Sequence, residues 1–157
     1  MKELKSYLND HLAGSVGALE LLEHWAHLYE DKPLGIFFSN IEAEVRADQS
    51  TLRDVMHSLG IEESTLRKAG AWAAEKAGRA RVIIAGDEPG SLGLVLTLEG
   101  LIMGIIGKRL MWRTLAVAKF PQPAGCDFEK LQRRAEQQIE RIEAERIRAV
   151  QQAFASQ

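Results

Sequence analysis

Three carboxylates stand where aliphatic side chains are expected. Glu99 lies within Leu92–Gly107, a stretch with no other charge. At helical spacing it continues the line Leu92, Leu96, Glu99, Met103, Ile106, Leu110, so its side chain is expected to point inward with its apolar neighbours. Asp48 interrupts a second line, Leu34, Ile41, Asp48, Val55, flanked by Val45 and Leu52. Glu44 lies one turn earlier on nearly the same side. Two acids at i and i+4 on an inner face repel one another unless a proton or a cation intervenes. A carboxylate buried alone is costly, and it neutralises, pairs or binds a cation. The chemistry on offer is therefore oxygen coordination of a hard cation such as manganese, iron(II) or magnesium, or an internal ion pair. Arg46, Arg146 and Arg148 are the candidate partners for Glu99.

These acids need helices to position them, and the periodicity is helical nearly throughout, with no convincing alternating strand. A first segment over about 2–30 places Leu4, Leu8, Leu12, Ser15, Leu19, Leu22 and Ala26 inward and ends before Asp31-Lys-Pro, where Pro33 suits the first turn of the next helix. The second, about 33–59, carries Leu34, Phe37, Phe38, Ile41, Val45, Leu52, Val55 and Leu59, with Gly60 as its stop. An alanine-rich third is expected over about 63–85. A fourth, capped by Ser91 or Asp87, runs to about 119, and a fifth, capped by Asp127, carries Phe128, Leu131, Ala135, Ile139, Ile142 and Ala149. Four of these segments are about 28 residues, or roughly 42 Å, long. Short connections make successive helices antiparallel. The expectation is one all-α domain over residues 1–157 with five helices running up, down, up, down, up. Gly93, Thr97, Gly100, Gly104 and Gly107 form a small-residue stripe on the fourth, read as a close helix contact.

Counting from the turns puts Glu20, Glu44, Glu99, Glu143 and Glu145 near one height of the bundle, with Glu23 slightly higher. This layer resembles that of the ferritin-like superfamily, and the stretch Tyr7-Leu-Asn-Asp-His-Leu-Ala-Gly-Ser-Val-Gly-Ala-Leu-Glu-Leu-Leu-Glu-His24 is similar to small bacterial ferritin-like proteins. The resemblance implies an antiparallel four-helix bundle with a crossover, here the helical segment 63–85. It also implies a metal site in which Glu20 and Glu99 match the single glutamates and Glu44 the glutamate of a Glu-x-x-His pair. Ala47 stands where the first histidine would be. The fifth segment holds Glu143-Ala-Glu-Arg146, with arginine in the ligand position, and no Glu-x-x-His. The candidate ligands are Glu20, Glu23, Glu44, Asp48, Glu99 and Glu145, for iron or manganese, in stress or iron handling. The alternative is a metal-free structural or interaction bundle whose inner acids are neutralised by Arg or Lys.

Other classes find little footing. At 157 residues, 46% hydrophobic and 27% charged with a net charge of -2, the chain has an ordinary globular composition and no basic patch for nucleic acid. Leu92–Ile106 is too short, glycine-rich and charged for a membrane span. The charged, amphipathic start does not read as a secretory signal, and the lone Cys126 excludes an intrachain disulfide, so a cytoplasmic setting is expected. His11-Leu-Ala-Gly14 superficially resembles phosphotransfer histidine segments but lacks their lysine, and His11 is read as a hydrogen-bonded core residue. His27 and His57 are read as surface residues, and His24 as projecting away from the apolar face. No phosphate loop or dinucleotide fingerprint is present, so no organic cofactor, small-molecule substrate or reaction is indicated. Trp25, Trp72 and Trp112 are read as anchors between helices. Lys108 and Arg109 are expected on an exposed basic rim. The charge-laced fifth segment could dock a second subunit, which makes a homodimer one option.

Overall fold

Each helix begins and ends where the sequence supplies the chemistry for it. The computed structural model describes residues 2–64 and 91–155. Helix α1 spans Lys2–Leu28, α2 Pro33–Ser58, α3 Leu92–Val117 and α4 Phe128–Phe154. Between α1 and α2 the chain turns through Asp31 at φ 65°, and Lys32 extends it into Pro33 at the first helical position. Gly60, at φ 64°, ends α2 with its N–H on the His57 carbonyl. The Ser91 side chain accepts from the Leu94 N–H at 3.4 Å, and Asp127 caps α4 by accepting from the Lys130 N–H at 3.0 Å.

Among the described residues all regular structure is helical. A fifth helix over 63–85 is not matched: residues 61–64 are non-helical, and 65–90, with Trp72, lie outside the described residues. Asn9 holds the non-helical residues after α2 against α1, donating to the Glu62 carbonyl at 3.3 Å and accepting from the Ser64 N–H at 2.7 Å. No helix among the described residues is long and apolar enough to cross a membrane.

Helix α1 packs along α2, α3 along α4, and α1 also packs on α3. Tyr7 reaches Thr114, and His11 lies 4.0 Å from where a Gly107 side chain would be, so α1 and α3 are antiparallel. Glu44 meets Arg141 and Asp48 meets Arg134, so α2 and α4 are antiparallel as well. It follows that α2 and α3 run the same way on opposite corners of the bundle.

The core divides into two apolar clusters. One gathers Leu19, Leu22, Trp25, Phe38, Ile41, Val45, Leu98, Leu101, Ile105 and Ile142. The other gathers Leu8, Leu12, Leu52, Val55, Met111, Trp112, Leu115, Phe128 and Leu131. Trp25 and Trp112 are fully buried, each anchoring one cluster against a phenylalanine, Phe38 or Phe128. At the α1–α2 corner Gly35 lies against the chain so closely that a Cβ there would fall on the Tyr29 carbonyl. Gly35→Ala should therefore destabilise the fold by about 1–3 kcal/mol, read as a lower urea midpoint at unchanged slope. An unchanged midpoint would contradict this packing.

Candidate functional site: a buried ionic layer

The two apolar clusters are separated by a layer of charge. Asp48 of α2 is 3% exposed and sits between Val45 of one cluster and Leu52 of the other. Its carboxylate accepts from three side chains. Lys108 of α3 reaches across the bundle and donates to Asp48 Oδ2 at 2.5 Å and to Gln138 Oε1 at 2.6 Å. Arg134 of α4 pairs with Asp48 Oδ1. Gln138, fully buried, donates through Nε2 to Asp48 Oδ2 at 3.3 Å and to Glu44 Oε2 at 3.0 Å.

Glu44 forms the outer edge of the layer. Arg141 clasps it with two parallel bonds, Nη1 to Oε1 at 2.9 Å and Nη2 to Oε2 at 2.6 Å. That fork holds the Glu44 carboxyl below its ordinary range, against the opposing effect of burial. Burial pulls the Lys108 ammonium below its usual value, while the charge of Asp48 works to keep the proton on. On the α1 side the polar level continues through Gln49, which donates to Ser15 Oγ at 2.8 Å and accepts from Arg53 at 2.7 Å.

Of the six expected ligands, only Glu44 and Asp48 come together. Counting outward from the Gln49–Ser15 bond places Glu20 opposite Glu44 in height, but Glu20 and Glu23 are exposed, and Glu23 lies beside Arg46, itself bonded to Glu42 at 2.6 Å. Glu145 is held by Arg148 of its own helix at 2.8 Å. Glu99 requires a correction: it is not buried, and its side chain is 46% exposed. It meets Arg146 at 3.4 Å, and Arg146 is also forked onto Glu143. Helix α3 is apolar on nearly every side, so two lines of apolar residues compete for the inner position. The inward one is Leu94, Leu98, Leu101, Ile105, Lys108, Trp112, Leu115, all buried except Lys108, whose side chain is 14% exposed; the line through Glu99 faces out.

Lys108 is the second correction, since its side chain reaches inward and is mostly covered rather than standing on a rim. Its signal was present in the sequence: it interrupts an apolar line of α3 just as Asp48 interrupts one of α2. Arg134 and Arg141 flank Gln138 at −4 and +3, which places all three on the α4 face toward α2. His11 stacks edge-on to Tyr7 at 4.7 Å with its pKa lowered by burial, and Cys126 has its thiol pKa raised by burial, both away from the layer. His24, His27 and His57 are exposed as expected. Among the described residues no three His, Cys, Asp or Glu side chains gather closely enough to hold a metal ion. Comparisons with protein-family models, with curated proteins and with solved structures give no match.

Removing Asp48 leaves the mostly covered Lys108 ammonium without its counter-ion, whereas removing Lys108 leaves Asp48 held by Arg134 and Gln138. Asp48→Ala should cost about 3–5 kcal/mol and Lys108→Met distinctly less, read by urea denaturation. The reverse order would contradict the layer. Because the folded Glu44 carboxyl is held below the usual 4.5, its contribution is present above that pH and is lost as pH falls through the folded value. Glu44→Gln should therefore flatten the fall in stability below pH 4.5; an unaltered acid limb would count against the Arg141 fork.

Proposed function

We propose that this chain is a ferritin-like bundle whose carboxylate layer is closed by its own cations, and that it works as a metal-independent structural and interaction module. The observation that carries this reading is Lys108, whose ammonium lies between Asp48 and Gln138, where an oxygen-coordinated cation would have to sit. Arg134 and Arg141 take up the remaining carboxylate oxygens. A divalent ion entering here would have to displace or approach those cations, which repel it. The donor set present does not fit an iron or manganese centre, and no step of metal chemistry is assigned to it. What supports the ferritin-like half is the parallel run of α2 and α3 on opposite corners, which calls for a crossover between them. The common height of Glu20 and Glu44 adds to it.

The test is metal loading. After anaerobic incubation with iron(II) or manganese(II) and desalting, elemental analysis should find far less than one metal per chain, and chelator should leave the thermal midpoint unchanged. Near-integral metal that disappears in a folded Glu44→Ala, Asp48→Ala variant would overturn the reading and restore a carboxylate metal site.

A further inference from the structure

Five of the nine large hydrophobics that stand exposed among the described residues lie on α3: Leu92, Leu96, Met103, Leu110 and Val117. Met103 and Val117 are 72% and 73% exposed. Together with Glu99, Ile106 and Arg113 they form an unbroken alternation of four and three residues from 92 to 117, the spacing of a coiled-coil seam. The seam lies about 200° around the helix from the buried line, since Leu96, Met103 and Leu110 each follow Leu94, Leu101 and Lys108 by two residues. Gly100 and Gly104 flank it with open space where their side chains would be, so a second helix can approach closely.

The two charges in this seam say what covers it. Arg113 is exposed and makes no ion pair among the described residues. Glu99 keeps nearly half its side chain in solvent despite Arg146. A parallel copy would set Glu99 against Glu99 and Arg113 against Arg113, two like-charge contacts. An antiparallel copy, with its two-fold axis between Gly104 and Ile105, places Met103 by Ile106, Glu99 by Leu110, Leu96 by Arg113 and Leu92 by Val117. In that register each Glu99 lies one turn from the partner's Arg113, and the symmetry makes the pair twice.

We propose that α3 is the self-association surface of this protein, joining two copies antiparallel through the seam from Leu92 to Val117, with Glu99 and Arg113 setting the register. The proposal deepens the interaction half of the function above and rests on it. It is independent of the metal-loading result, so either can fail while the other stands.

Sedimentation velocity on the full chain over a wide concentration range tests it. The wild type should dimerise, and Met103→Glu with Leu110→Glu, both at exposed positions, should give a monomer with unchanged helical circular dichroism. Arg113→Glu should weaken the dimer about tenfold or more, and the Glu99→Arg, Arg113→Glu double swap should restore it to near the wild-type value. A wild type that stays monomeric would overturn the proposal, the seam then being covered by another part of the same chain or by an unrelated partner. So would an oligomer indifferent to the seam variants, or a charge swap without restoration.

Discussion

A buried carboxylate and a mostly covered ammonium, paired across the bundle, set the terms for everything around them. Asp48 and Lys108 come from helices on opposite corners, so their contact passes through the middle of the fold. Ions removed from water cost several kcal/mol each, and only close geometry with further hydrogen bonds offsets that, roughly and not always in full. Here the offset comes from α4, whose Gln138 bonds both ions and whose Arg134 adds a second counter-charge to Asp48. Sliding any of the three helices by a turn would bury charge without a partner. The apolar clusters above and below would tolerate such a slip far better, since aliphatic packing is non-directional.

The layer thus fixes a register that the apolar clusters leave open. Leucines and valines repeat along every helix, so one turn of displacement would exchange like for like. The fork of Arg141 on Glu44 reinforces the same alignment at the half-exposed edge, where it adds geometric specificity more than energy. Helices α2 and α4 consequently meet through long polar side chains, while the closest helix packing lies within the α1–α2 and α3–α4 hairpins.

Much of this was legible in the residues. Helix boundaries followed from Pro33, Gly60, Ser91 and Asp127, whose local chemistry does not depend on tertiary context. Asp48 was readable as buried because α2 is amphipathic and its apolar line is unambiguous. Helix α3 was not readable in the same way: with apolar residues on nearly all sides, periodicity alone does not select between the line of Glu99 and the line of Lys108. The common height of Glu20 and Glu44 was read correctly, because rise per residue is fixed. The facing of Glu20 and Glu99 was not, because direction depends on a phase that only packing decides. Lys108 was read as a rim cation, and Arg134 and Arg141 escaped notice, since a basic residue in a charged or terminal stretch looks solvated until its partner is placed.

Whether Lys108 or a metal occupies the centre of the layer is the claim on which the account turns. Anomalous diffraction from crystals grown with manganese(II) measures it directly. The account predicts the Lys108 side chain in density between Asp48 and Gln138 and no anomalous peak at that position. A manganese peak bounded by Glu44 and Asp48, with Lys108 displaced from them, would contradict it.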